Sequence, residues 1–149
     1  MISIIVLNYN SREFIDVPRK CLEVLAEIEL PFELILVDNA SNDGSYSILV
    51  NIIRELDLKS VKIIKLSRNV GFAAGNNIGY ANSDSRSKYI ILINNDLIPG
   101  HESFRYLVSF MEKHPKVGAA QGIIYRMDER KVDNCGFLCT ETLKNFPII

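Results

Sequence analysis

Cysteine is scarce and odd in number: Cys21, Cys135 and Cys139 are the only three among 149 residues. With no secretory leader in view, an odd count argues against a disulfide framework and for a reducing compartment. Histidine is scarcer, with His101 and His114 alone. Both lie upstream of Cys135 and Cys139, and no second cysteine pair accompanies those two, so the ligand spacing of a zinc site is missing. Neither histidine has neighbours of catalytic type, which leaves them as surface or helix-end residues. Apolar runs stay near five residues, as in Tyr89 to Ile93, far below the roughly 20 that cross a bilayer. The net charge is only −1, from 17 Lys and Arg against 18 Asp and Glu. That balance leaves no basic field for nucleic acid and no acidic tail. No glycine-rich loop ends in Lys-Ser or Lys-Thr, which removes a P-loop nucleotidase. No Gly-x-Gly-x-x-Gly follows the first apolar run, which counts against a dinucleotide-binding domain. Repeats and low-complexity tracts are absent too.

The length fits one domain, residues 1–149, with a core of useful size. Short β-branched runs alternate with segments of helical period. Ile2 to Leu7, Leu34 to Val37, Val61 to Leu66 and Tyr89 to Ile93 read as strands, the last buried on both faces. A helix beginning near Pro18 carries Cys21, Leu22, Leu25 and Ile28 on its core face and stops at Pro31, with Asn10 or Ser11 placed to cap the turn before it. A second opens at Ser45 with Leu49, Ile52, Ile53 and Leu56, and another carries Phe104, Leu107, Val108 and Met111 up to His114. Val117 to Tyr125 reads as a strand, Arg126 to Arg130 as a hairpin turn, and Val132 to Leu138 as one more short strand. Thr140 to Ile149 shows no periodicity. Strand-helix alternation implies βαβ units, a mostly parallel sheet and an α/β sandwich.

Three of these strands end in amides and acids: Asn8-Tyr9-Asn10 after Leu7, Asp38-Asn39 after Val37, and Asn94-Asn95-Asp96 after Ile93. Neighbouring strand ends lie about 5 Å apart, and ligands bind at that end of an open α/β sheet, so the tips converge on one polar crevice. Asp96 there suits a hard divalent cation that also touches phosphate; a solvated Asx turn is the plainer alternative. Asp38 is placed to accept a hydrogen bond from a pyrimidine N–H, and Tyr9 to stack on a ring. Asp43, in Asn42-Asp43-Gly44-Ser45, reads as a turn and cap residue. Arg68 either pairs with phosphate or decorates a loop. Gly71, Gly75 and Gly79, with Ala73 and Ala74 between, allow a helix packed closely on the sheet or a loop close to a ligand. Asn69, Asn76 and Asn77 fit the first of these less well, because unpaired amides are costly to bury.

Four blocks now stand in order: Ser3-Ile-Ile-Val-Leu-Asn-Tyr-Asn10, Leu36-Val-Asp-Asn-Ala-Ser-Asn-Asp-Gly-Ser45, Arg68-Asn-Val-Gly-Phe-Ala-Ala-Gly-Asn-Asn-Ile-Gly79 and Leu92-Ile-Asn-Asn-Asp-Leu-Ile-Pro99. Together they resemble family 2 glycosyltransferases, in particular the rhamnosyltransferase-like branch, over roughly residues 2–125. The resemblance implies a GT-A fold, a Rossmann-like αβα sandwich, and inverting transfer of a sugar from a UDP- or dTDP-linked donor to an acceptor hydroxyl. Matched position by position, it implies nucleotide contacts from Asn8, Tyr9, Asn10, Asp38, Asn39, Asn69, Gly71, Asn76, Asn77, Asn94 and Asn95. Asp38 would read the base, and Asn94 would sit by the ribose. Asn94-Asn95-Asp96 is similar to the family's Asp-x-Asp motif with Asn for the first acid, which leaves Asp96 to hold Mg2+ or Mn2+.

No counterpart of the family's general base is found, and relatives are usually longer, so the chain is expected to be the donor-binding part, cut before the acceptor-binding portion. A saccharide or glycolipid acceptor, polysaccharide assembly and a cytoplasmic position, peripheral at the inner membrane face as one option, follow from the same resemblance. Apolar surface near Ile123 to Phe137 raises a homodimer. Two other readings stand beside the enzyme. One is a module that binds a nucleotide sugar or a protein without turnover. The other is a nucleotidyltransferase, which would call for a glycine-rich basic loop where Asn8 to Arg12 stands.

Overall fold

The computed structural model describes residues 1–126, 131–134, 137–139 and 145–147. The chain divides into two compact units, Met1–His101 and Glu102–Ile149.

In the first unit β1 (Ile2–Asn8) leads through a 3-10 turn (Arg12–Phe14) to α1 (Asp16–Ala26), followed by β2 (Phe32–Asp38), α2 (Ser45–Glu55), β3 (Val61–Lys65), α3 (Phe72–Ala81) and β4 (Tyr89–Asn94). The four strands form one sheet in the order β3-β2-β1-β4, and every pairing is parallel. The α/β architecture with a parallel sheet is thus as the alternation implied. β1 and β2 occupy the centre, where Ile4, Ile5, Leu34, Ile35, Leu36 and Val37 are fully buried. Such continuous apolar strands are what a sheet covered on both faces requires.

β4 corrects an expectation. It lies at an edge of this sheet, and Leu92 is 52% exposed, so the strand is not buried on both faces. An apolar run of five residues reads alike at an edge and in the centre, because periodicity reports side-chain character and not neighbours. α1 also differs: it starts at Asp16, with Pro18 inside its first turn, and ends at Ala26, well before Pro31. Neither Asn10 nor Ser11 caps it, since Ile15 holds the N-cap position without a side-chain bond. α2 opens at Ser45 and buries Leu49, Ile52 and Ile53, while Leu56 falls just past its end.

α3 is the packed helix of the two alternatives. A Cβ on Gly79 would stand 2.5 Å from Ile5 Cγ2, and one on Gly75 would stand 2.6 Å from Leu7 Cδ1. The bare backbone at these two positions is what lets α3 lie directly on β1 and β2, beside Ile5, Leu7 and Val37.

In the second unit α4 (Ser103–Lys113) ends at His114 and buries Phe104. The strand expected over Val117 to Tyr125 shrinks to β5 (Ile124–Tyr125). Gly118, Ala119, Ala120 and Gly122 offer little side chain to pack on a neighbouring strand. β5 pairs antiparallel with β6 (Val132–Asn134), and Arg126 N donates to Lys131 O at 2.8 Å. The rest of the expected Arg126 to Arg130 turn lies outside the described residues, as does Cys135. The single strand expected over Val132 to Leu138 is two: β6, and β7 (Phe137–Cys139), which pairs with β8 (Asn145–Pro147). No described helix is long and apolar enough to cross a membrane.

Candidate functional site

The parallel register sets Asn8 beside Asp38, and Leu7 beside Asn94. The carboxyl ends of β1, β2 and β4 therefore meet at one place. Asn8 lies at its centre and is fully buried. Its Nδ2 donates to Asp38 Oδ1 at 2.8 Å, with the hydroxyls of Ser41 and Ser45 at 3.1 and 3.3 Å. Its Oδ1 accepts from Ser11 Oγ at 2.6 Å and from Asn95 Nδ2 at 3.0 Å. Asp38 is equally buried; besides Asn8 it accepts from Ser41 N at 3.0 Å and from Ser41 Oγ at 2.6 Å. Among the described residues no buried side-chain nitrogen or oxygen lacks a partner, as the cost of orphaning such atoms demands.

Above this network opens a hollow of about 270 Å3, lined by Leu7, Tyr9, Asn39, Asn69, Gly71, Phe72, Asn94, Asn95 and Asp96. Asn39 fastens one wall. Its Oδ1 accepts from Val70 N at 2.9 Å, while its Nδ2 donates to Asn69 Oδ1 at 2.9 Å and to Gly71 O at 3.3 Å. Asn69 Oδ1 also accepts from Gly71 N at 2.8 Å. The loop can close so tightly because Gly71 takes φ 86° and ψ 172°, a region open to glycine and hardly to anything else. α3 then starts at Phe72, whose ring is 59% exposed; Tyr9 is 46% exposed. Two aromatic faces and one carboxylate, Asp96, are thus left open toward solvent around a set of amides.

The neighbouring loops are stitched without reaching the hollow. Asn10, at φ 47°, donates its N–H to Ser41 Oγ at 3.0 Å and accepts at Oδ1 from Asn42 N at 3.0 Å. Asp43 accepts from Ser45 N at 2.9 Å, Ser45 Oγ at 2.6 Å and Arg12 N at 2.8 Å. Burial works to raise its pKa, but these hydrogen bonds outweigh it and hold the carboxyl below its usual value. The turn reading of Asp43 is what this geometry shows, an Asx turn onto Ser45 N, while Gly44 holds the N-cap position of α2 without a side-chain cap bond.

Of the residues matched to nucleotide contacts, Tyr9, Asn39, Asn69, Gly71, Asn94 and Asn95 line the hollow, together with Asp96. Asn8 and Asp38 do not; they are sealed beneath it, with their polar atoms bonded to each other, to the serines and, for Asn8, to Asn95, so Asp38 is not exposed to a base here. Asn10 ties loops together. Asn76 is buried on α3 and donates to Phe72 O at 3.1 Å, and Asn77 is exposed away from the lining. Sequence reasoning missed Phe72 and the hydroxyls of Ser11, Ser41 and Ser45. An aromatic directly after a loop glycine was a readable signal for Phe72. The serines had none, since a short hydroxyl near a turn is ordinary.

The sequence matches the description Glycosyl transferase family 2 over residues 3–135. The chain belongs to that family. Comparison with curated proteins gives no match. Among solved structures, the family 2 chain resembles the mannosyltransferase PcManGT from Pyrobaculum calidifontis in complex with GDP-Man and Mn2+, with TM-score 0.72 and 21% identity over 84% of this chain and 35% of that one. It also resembles S. aureus TarS 1-349 in complex with UDP-GlcNAc, with TM-score 0.63 and 21% identity over 87% of this chain and 41% of that one. S. aureus TarS itself gives TM-score 0.62 and 25% identity over 76% of this chain and 20% of that one. These likenesses show a GT-A-like α/β fold. The family 2 chain spans well under half the length of each of these structures.

Proposed function

We propose that this chain binds a nucleoside-diphosphate sugar, UDP- or dTDP-linked, in the hollow, for inverting transfer of the sugar to a hydroxyl of a saccharide or glycolipid acceptor. A single observation carries the reading. The hollow at the carboxyl ends of the strands offers two exposed aromatic faces and a set of amides, with Asp96 as its one charged lining residue. Base and ribose rings suit the faces of Tyr9 and Phe72, and Asn94 and Asn69 suit hydroxyl and carbonyl groups. Family membership and the rhamnosyltransferase-like order of the four motif blocks point the same way.

The charge balance brings in a metal. A diphosphate set against Asp96, with no Lys or Arg among the described lining residues, is repulsive unless a cation lies between them. No cluster of three or more acidic, His or Cys ligands exists among the described residues, so a cage of protein ligands does not fit. A hard cation held by one carboxylate plus phosphate and water oxygens does fit, and that is the habit of Mg2+, with Mn2+ close to it. Asp96 would hold it. When bound, such an ion stabilises charge on the leaving diphosphate without a proton. Among the described residues the lining has no second carboxylate to deprotonate an acceptor hydroxyl, so on this reading the general base would come from outside them.

Calorimetric titration of UDP and dTDP, and of sugars linked to them, with and without Mn2+ tests this. Metal-dependent binding by the parent chain, lost in Asp96→Ala, is the expected result; no binding by the parent, or undiminished binding by the variant, overturns it. The missing base also favours a second reading, a chain that binds the donor without turning it over. Donor hydrolysis or sugar transfer by the 149 residues alone would exclude that.

A further inference from the structure

We propose that Asn8 is a positioning residue: its amide, held one way round by Asp38, dictates a hydrogen-bond donor at position 95 and so fixes the turn that presents Asp96. This rests on the reading of Asp96 as the metal-holding carboxylate. A carboxylate only accepts, and Asp38 Oδ1 lies 2.8 Å from the Asn8 amide, so the Nδ2 side must face it. Oδ1 of Asn8 is thereby turned toward the turn after β4, where Asn95 Nδ2 reaches it at 3.0 Å. Asn8 is fully buried, so water does not replace either partner cheaply.

Position 95 is then not free to vary by size alone. A carboxylate there would set its oxygens against Asn8 Oδ1. Turning the amide over would relieve that contact and place Oδ1 against Asp38 instead. The conflict disappears only if the acid is moved across. With Asn at 38 and Asp at 95 the Asn8 amide rotates by half a turn, the hydroxyl of Ser11 reorients to accept, and that of Ser41, 3.1 Å from the amide, turns to donate. Asp38 thus acts through Asn8 on a turn that lies 58 positions further along the chain, without touching a ligand.

The experiment is a double-mutant cycle of Asp38→Asn and Asn95→Asp in the full chain, with three readouts. Melting temperatures are expected to be non-additive, the double variant losing less than the sum of the single losses. In side-chain amide NMR without ligand, the Asn8 NH2 signals are slowly exchanging in the parent and move in the double variant. Mn2+-dependent UDP binding is expected to weaken about tenfold in Asn95→Asp, the size of one lost hydrogen bond, and to recover in the double variant. Additive melting losses, an unmoved Asn8 signal, or Asn95→Asp binding as tightly as the parent each overturn the relay. Absence of UDP binding by the parent would overturn the reading of the hollow, and the first two readouts, which need no ligand, would still decide the relay.

Discussion

The two ends of the same parallel sheet bury polar groups in opposite ways. At the amino end Glu33, 3% exposed, accepts from Ser3 Oγ at 2.6 Å and from Asp84 N at 2.5 Å, and pairs with Lys62 at 2.9 Å. Ser87 joins through Ser3, and Lys62 also donates to Asn82 O at 2.8 Å. This cluster pins the turn between α3 and β4, and its carboxylate has no site left for a ligand. At the carboxyl end the buried acid, Asp38, is compensated by an amide and two serine groups instead of a cation, and it underlies a hollow whose upper residues keep free faces. Burial of an acid is therefore no sign of function by itself. What marks the candidate site is that a buried, fully bonded network lies beneath side chains exposed to solvent. α3 joins the two, with Gly71 and Phe72 at the hollow and Asn82 at the pinned turn.

The sharpest way to break this contrast is to remove one acid from each end, Glu33 and Asp96. Glu33→Ala is expected to cost about 3 kcal/mol of stability in urea titration, since it strands buried partners, while leaving nucleotide binding per folded molecule unchanged. Asp96→Ala should stay within about 0.5 kcal/mol of the parent and lose metal-dependent binding. The opposite pattern would dissolve the distinction. Next comes the helix that links the ends: Gly79→Ala forces a Cβ against Ile5 and should destabilise by about 2 kcal/mol, more than the helix-propensity gain of about 1 kcal/mol. An unchanged melting temperature would refute the close approach.

Acid separates the ends further. Burial works to raise the pKa of Glu33, but hydrogen bonds from Ser3, Asp84 N–H and Lys62, with the Lys62 charge, hold it below its ordinary value of 4.5. A depressed carboxyl adds stability above its unfolded pKa and gives it up as pH falls through the folded one. The parent should accordingly lose its advantage over Glu33→Gln as pH drops below about 4.5, read from paired urea titrations. A constant gap across that window would remove Glu33 from the account. The smallest effect belongs to the loop at the hollow: Gly71→Ala meets no atom within 4 Å and pays only for φ 86°, about 1 kcal/mol, and binding should weaken with it because Asn39 then holds a displaced loop.

Much of this was legible in the residues. Apolar runs separated by helical periods specify βαβ units, and parallel strands put Asn8, Asp38 and Asn94 at one end whatever the details, because every strand in such a sheet finishes on the same side. The spacing of Gly71, Gly75 and Gly79 already announced a close approach. The Glu33 cluster had no such signal, since Ser3, Glu33, Lys62 and Asp84 come from four separate segments with nothing local to join them.

Sequence by itself, then, determined the fold class, the family and the end of the sheet where amides gather. Only the tertiary structure decided that Asn8 and Asp38 face inward while Asn39, Asn94 and Asp96 face the hollow, that β4 is an edge, and which way round the Asn8 amide must lie. The reason is physical: side-chain character sets what a segment becomes, whereas the direction of a strand-end side chain depends on the registered neighbour beside it, and that neighbour is supplied by residues 30 to 87 positions away.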